Sequence, residues 1–285
     1  MKNFLIFFGI TILIISCNSN KKKDAIEEIN YYKLYKIKRV EKYQYDYKFG
    51  VIDSTTKELE MAFEYDTLGN EIKSIYYLKN YLVTFDNSDG IRMDSMITIK
   101  KYDIKGNQIS SIGYDEVGKI YYKTTTTYNE FNKAIDYVRY DENGDLEDKM
   151  SNVYDNKGNL ISSTSNDLKN KSVSITTVLQ RDGDIEEELK VTDDKSNLIQ
   201  RYLSKVHNDS ISTIEIYDSL NQLYSITENE LYKKIIVGSK NINVRTKKIN
   251  YEYRKKLNEM NLPIEEISYT EGEPSMFYKY VYIKY

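Results

Sequence analysis

Between residues 102 and 158 the chain returns to one short phrase at a nearly fixed interval. It reads Tyr-Asp-Ile-Lys-Gly from Tyr102, Tyr-Asp-Glu-Val-Gly from Tyr114, Tyr-Asn-Glu-Phe-Asn from Tyr128, Tyr-Asp-Glu-Asn-Gly from Tyr140 and Tyr-Asp-Asn-Lys-Gly from Tyr154. From Asp103 to Asp167 successive copies start 12, 14, 12, 14 and 12 residues apart, so two half-repeats make a 26-residue unit. A chain punctuated this often has no room for long helices between the marks. Fainter copies start at Asp66, Asp194, Asn208 and Asp218, and Asp182-Gly183 keeps the interval.

The residue types say what the phrase does. Asp or Asn at the first position of a type I turn accepts a hydrogen bond from the backbone two residues on. Gly or Asn three places later adopts the left-handed conformation that closes the loop as a G1 bulge. Asp66 with Gly69, Asp103 with Gly106, Asp115 with Gly118, Asp141 with Gly144 and Asp155 with Gly158 are therefore expected to be hairpin turns. Between turns the period is two: Ile120, Tyr122, Thr124, Thr126 and Tyr128 share one face, as do Val173, Ile175, Thr177 and Leu179. Tyr31–Phe49 alternates in the same way, and Arg254–Leu262 reads as a brief helix ended by Pro263. The 29 tyrosines against 8 Phe and no Trp suit sheets with one dry and one wet face.

These observations predict an all-β antiparallel meander of about 15 to 19 strands. Laid flat, about eighteen strands would span about 85 Å, so the sheet is expected to curve, open or partly closed. A membrane-spanning barrel is disfavoured, because neither face of "KIYYKTTTTY" is apolar. Tyr102, Tyr128 and Tyr154 fall in one phase and are expected to line one edge. That row reads first as structural and second as a surface for binding a glycan or peptide.

The amino-terminal segment carries a different message. Lys2, the apolar run Phe4–Ile15 and small Ser16 precede Cys17, which is the only cysteine. The run is too short to cross a bilayer comfortably and suits a signal peptide. Ile14-Ile15-Ser16-Cys17 resembles the lipobox of bacterial lipoproteins. The resemblance implies lipidation of Cys17, including an amide-linked acyl chain such as palmitate, after removal of residues 1–16. It divides the chain into a signal peptide (1–16), a lipidated Cys with a polar tether (17–24) and one all-β domain (25–285). Asp24–Asn30 reads as a short helical turn. In Bacteroidota-like lipoproteins an acidic tether accompanies surface export. Here Lys21-Lys22-Lys23 makes it basic, which implies the outer membrane facing the periplasm.

The repeats themselves resemble YD (RHS-type) repeats, from about residue 64 to 223. The chain is far too short for the large shells such repeats can build, so the resemblance implies the hairpin repeat and not an enclosing function.

Chemistry is thinly supplied. A net charge of −3 gives no footprint for nucleic acid. The one histidine, His207, sits in an expected turn and is read as inert. No metal site or cofactor is expected, although Asp141, Glu142, Asp145, Glu147 and Asp148 form a dense carboxylate group of the kind calcium favours. The expected function is a non-enzymatic binding or scaffold lipoprotein, partnered by the membrane and by an envelope protein or glycan. A carrier of a lipid or apolar ligand, and a carboxylate-dependent hydrolase, are the alternatives.

Overall fold

The computed structural model describes residues 30–83, 91–179, 185–232 and 235–285. Cys17, the signal peptide, the tether and Asp182-Gly183 lie outside the described residues. So does the turn expected from Asp24, apart from Asn30.

One turn of helix, α1 (Tyr31–Leu34), leads into β1 (Ile37–Lys48). The short β2 (Val51–Ile52) and a 3₁₀ turn at Ser54–Thr56 connect it to β3 (Glu58–Tyr65). A meander follows: β4 (Glu71–Val83), β5 (Ile91–Tyr102), β6 (Gln108–Tyr114), β7 (Ile120–Tyr128), β8 (Ala134–Asp141) and β9 (Leu146–Tyr154). It continues through β10 (Leu160–Asp167), β11 (Ser172–Leu179), β12 (Ile185–Asp193), β13 (Leu198–Asn208) and β14 (Ile211–Tyr217). The last strands are β15 (Leu223–Tyr232), β16 (Ile235–Asn243), β17 (Ile249–Leu257), β18 (Pro263–Thr270) and β19 (Glu273–Lys284). Every pairing is antiparallel and joins sequential strands until the end, where β19 pairs with β1 (Val40↔Tyr282, Lys42↔Tyr280, Gln44↔Tyr278). On its other side β1 pairs with β3 (Val40↔Phe63, Lys42↔Met61). With β2 set aside as a flap on β1, the ring is an 18-strand β-barrel.

Closure corrects the expectation of an open or partly closed sheet. Twist alone curls a sheet of this width, and pairing its two edges removes the rows of free N–H and C=O groups they would otherwise expose. Two local expectations also change. Tyr31–Leu34 is helical because Asn30 caps it, Oδ1 accepting from Lys33 N–H at 3.0 Å. Arg254–Leu257 ends β17, and the next five residues form a turn in which Asn258 Oδ1 accepts from Met260 and Leu262 N–H.

Cross-strand partners share a face, so each face can be followed around the ring. One runs Val40, Phe63, Ser74, Thr98, Gly113, Tyr122, Asp141. It carries nearly all the buried small residues, among them Ser74, Thr98, Ser111, Thr124, Ser163, Ser225 and Asn241. This is the inner wall. The other face carries Arg39, Glu64, Lys205, Glu215, Glu228, Lys240, Arg254 and Lys256 and is the outer wall.

The turns alternate between ends. At the lower end, where α1 enters, lie 66–70, 103–107, 129–133, 155–159 and 258–262. At the upper end lie 115–119, 141–145, 193–197 and 218–222. In each, the first side chain accepts from two backbone N–H groups: Asp103 Oδ1 from Lys105 and Asn107 at 2.9 and 2.8 Å, Asp155 Oδ1 from Lys157 and Asn159 at 2.8 Å each. Gly69, Gly106, Gly118, Gly144 and Gly158 have φ of 79°, 85°, 84°, 85° and 81°. The turn near 194 is headed by Asp193 and not Asp194, with Ser196 at φ 65° in the glycine position. At Asp167 the loop closes one residue later, with Lys171 at φ 52°.

A Cβ at Gly144 would meet nothing within 4 Å, so its requirement is backbone alone. Gly144→Val is expected to cost about 1–2 kcal/mol, the left-handed penalty of an L-residue. A urea melt superimposable on wild type would contradict this. The side-chain amides of Asn107 and Asn159, followed by backbone N–H groups, hold the Asp103 and Asp155 carboxyls below their usual range. A carboxyl depressed in the fold stabilises it above the unfolded value of about 3.9 and loses that contribution as pH falls toward the folded value. Asn129 shows that Asn heads the same turn. Asp155→Asn should therefore fold normally, and its stability should fall less steeply than that of wild type between about pH 5 and pH 2. Parallel acid titration curves would refute the assignment.

Candidate functional site

The inner wall gathers side chains from distant parts of the sequence. At the seam, β1 brings Lys42, the bulge in β3 brings Glu60, and β18 brings Glu266. Lys42 Nζ lies 3.2 Å from Glu60 Oε2 and 3.5 Å from Glu266 Oε1, and 3.7 Å above the centre of the Tyr278 ring. Lys255 of β17 approaches Glu266 at 3.8 Å, and the Tyr280 hydroxyl donates to Glu266 Oε2 at 3.0 Å. Burial, then the Glu266 charge, pushes the Tyr280 hydroxyl far above its ordinary pKa, so it stays a donor. The cluster holds two carboxylates with an ammonium between them.

A second group sits on β5–β9. Tyr122 lies across Gly113, where a Cβ would come within 2.1 Å of its ring, and its hydroxyl reaches Thr98 Oγ1 at 3.0 Å, two strands away. Tyr121 meets it edge-on at 4.9 Å. Arg139 stands over the Tyr122 ring and is held by Glu147 at 2.8 Å. On β15–β17 the wall is amide and hydroxyl: Ser239 Oγ donates to Asn229 Oδ1 at 2.9 Å, and Asn241 Nδ2 to Thr227 Oγ1 at 2.7 Å. On β11–β14 it is apolar, with Leu189, Val191, Tyr202 and Ile216 buried together.

Tyr102, Tyr128 and Tyr154 line the lower rim of the inner wall. Their hydroxyls donate to the backbone carbonyls of Glu71, Gln108 and Ala134 at 2.7, 2.8 and 2.8 Å. Tyr282 repeats the contact on Pro263, at 2.6 Å. Each ring thus bridges to the neighbouring hairpin, and burial pushes Tyr102 up to about 12.

His207 lies in β13, on the outer wall, with Nε2 2.9 Å from Thr213 Oγ1. It borders an open groove of about 450 Å³ whose walls include Glu228, Lys240, Glu252 and Arg254. The groove lies over Gly238, the one position in those rows without a side chain, which a sequence reading could have flagged as a glycine inside a strand. The Asp141–Asp148 carboxylates are dispersed. Asp141 heads its turn, Glu142 pairs with Lys119 at 3.0 Å, and Glu147 pairs with Arg139. Among the described residues no group of three acidic, His or Cys side chains is placed to hold a metal.

No protein-family model and no curated protein matches the chain. Among solved structures, a porin-like protein from Bacteroides uniformis aligns over 87% of this chain and 97% of its own, at 10% identity and a TM-score of 0.45. One from Bacteroides vulgatus aligns over 87% and 99%, at 10% identity and 0.29. A TcdB2-TccC3 structure aligns over 73% of this chain and 16% of its own, at 15% identity and 0.15. At such scores the likenesses carry no argument, and closure of the ring rests on its own strand pairing.

Truncating the partner between two inner-wall carboxylates leaves uncompensated charge. Lys42→Met is expected to cost about 2–4 kcal/mol. Adding Glu266→Gln should recover part of that loss in a double-mutant cycle. A Lys42→Met protein that melts with wild type would show that the cluster contributes nothing.

Proposed function

We propose that the chain is an envelope lipoprotein of YD-repeat type, held by acyl chains on Cys17, whose barrel stands on the membrane as a non-enzymatic binding or scaffold module. The observation that supports this best is the outer wall. Charged pairs occupy it from β13 round to β3, including Lys205 with Glu215 at 2.5 Å, Lys256 with Glu265 at 3.4 Å and Arg39 with Glu64 at 2.9 Å. A lysine or arginine facing lipid at mid-depth costs about 2–4 kcal/mol, so a ring with this wall is poorly suited to sit in hydrocarbon. Membrane attachment then falls to the lipid, and the basic tether favours the periplasmic side of the outer membrane.

The rival readings find less support. The apolar inner sector is already buried, which leaves little lining for a carried lipid. Glu60 and Glu266 face each other, but the ammonium of Lys42 fills the gap where a hydrolase would place its substrate oxygen. The Tyr102, Tyr128 and Tyr154 hydroxyls are engaged with backbone, so the binding surface in this reading is the outer groove over Gly238, with Lys240 and Arg254 on its walls. An envelope protein or glycan with mixed polar chemistry fits it.

A two-arm experiment in cells tests this. Wild type should take up an alkyne fatty acid and stay with the membrane after a carbonate wash. Cys17→Ala should take up none and be released. The doubly substituted Lys240→Glu, Arg254→Glu protein should stay anchored but lose partner recovery in a cross-linking pull-down. An unlabelled wild type refutes the lipid, retention of Cys17→Ala through the wash refutes a barrel outside the bilayer, and undiminished recovery refutes the groove.

A further inference from the structure

The two ends of the barrel differ in a way that assigns its orientation. Four structural units stand side by side at the lower end. Asn30, the cap of α1, donates to the Gly69 carbonyl at 3.2 Å, and Tyr32 stacks on Tyr65 at 4.3 Å, so α1 is fixed to the 66–70 turn. The 103–107 turn follows, and Asn107 Nδ2 donates to Asn132 Oδ1 at 3.3 Å, joining it to the 129–133 turn. Each unit pushes one apolar side chain outward: Leu34, Leu68, Ile104 and Phe131, with exposures of 59%, 55%, 100% and 57%. Lysines stand beside them, at Lys33, Lys36, Lys105 and Lys133. Of the acids in this sector, Asp66 and Asp103 are turned inward to accept backbone N–H groups and Glu71 is paired with Lys100 at 2.6 Å, which leaves Glu130.

The upper end has exposed apolar tips too: Phe49 and Val51 beside Lys48 above β1, Leu220 where Arg245 pairs with Asp218, and Val117, whose setting is acidic. Above β6–β9 stand Asp115, Glu116, Asp141, Glu142 and Asp145 against Lys119, and above β1 and β3 stand Lys48 and Lys57 with Asp53. Along β6–β9 an anionic surface therefore meets attraction below and repulsion above, and the end at which the chain arrives from Cys17 decides between the two.

Resting on the lipid-anchor reading, we propose that the lower sector formed by Leu34, Leu68, Ile104 and Phe131 docks onto the bilayer that holds Cys17. The apolar tips enter the headgroup region and the lysines pair with anionic lipid. The chain arrives from Cys17 at this end, through residues 18–29, a span of at most about 45 Å when fully extended. Anchoring confines the sector within that distance of the surface, and a short tether raises the effective concentration of a weak second contact. Four tips and four lysines then suffice where they would not hold a free protein, since single interfacial contacts are marginal. The barrel stands upright, its 115–119 and 141–145 turns directed away from the lipid.

The absence of tryptophan makes the test direct. Full-length protein carrying Ile104→Trp, Phe131→Trp, Val117→Trp or Leu220→Trp is reconstituted in vesicles of phosphatidylcholine and phosphatidylglycerol, with and without lipid brominated high on the chain. The Ile104→Trp and Phe131→Trp proteins should show blue-shifted emission and lose most of it to the brominated lipid. The Val117→Trp and Leu220→Trp proteins should keep aqueous emission unquenched. Each tip is a surface position, so folding is not at stake, and a melt of each variant checks it. Intact mass of the same sample shows whether Cys17 is acylated. An acylated protein whose lower-rim tryptophans stay unquenched, or whose upper-rim ones are quenched equally, overturns the orientation and leaves the anchor standing. An unacylated protein overturns both.

Discussion

The structure depends on the pairing of β1 with β19. Nine residue pairs form this junction, between segments some 240 residues apart in the chain. Without it the meander would end in two long open edges. With it every strand of the ring has two neighbours, β2 lying outside the ring, and β1, held between β19 and β3, becomes an interior strand. Everything else is local. Each remaining ladder joins strands consecutive in sequence, with β2 the small exception. Such local ladders close small loops and are entropically cheap, whereas the junction must gather the whole chain. The Lys42 cluster and the buried group around Ile37, Val40, Tyr65 and Leu262 exist only once that has happened, because β1, β3, β18 and β19 supply them jointly.

The walls divide their work by side-chain size. Inside, Ser, Thr and Asn sit beneath neighbouring tyrosines, and their polar atoms pair with one another across strands, as between Ser111 and Thr124 at 2.7 Å. Outside, long charged side chains pair across the ladder. Neither wall is the continuous apolar sheet face that a two-layer sandwich would need. A single closed layer with small polar residues within is the arrangement this composition supports.

How much of this could be read from the sequence follows from range. The turns are local chemistry: an Asp or Asn, a left-handed residue three places on, and alternation between them. These are visible one residue at a time, and Asp103 to Gly106 and Asp155 to Gly158 need no tertiary information. Asp193 was displaced by one place because Asp194 stands beside it and Ser196 occupies the glycine position, so the pattern fitted two registers. Arg254–Leu262 resembled a helix because Lys255, Lys256, Glu259 and Met260 favour one, and cross-strand pairing overrode that preference. Closure was out of reach, since nothing near Lys42 announces Tyr280. Which face points inward was equally obscure, because both faces carry Thr, Tyr and charge. Gly113 and Gly238 are the legible exceptions, glycines within strands that no turn requires, each lying under a neighbouring side chain.

The repeat unit has a consequence for how such a ring can vary. A 26-residue unit is two strands, one rising and one falling. Adding or deleting a whole unit leaves β19 arriving at β1 antiparallel, and only the circumference changes. Adding a single strand would bring the last strand in parallel to the first, and the junction would have to be rebuilt with a different hydrogen-bond pattern. Gene duplication and loss acting on this sequence can therefore resize the barrel only in even steps, and each step moves the inner groups apart or together without altering any of the hairpins that carry them.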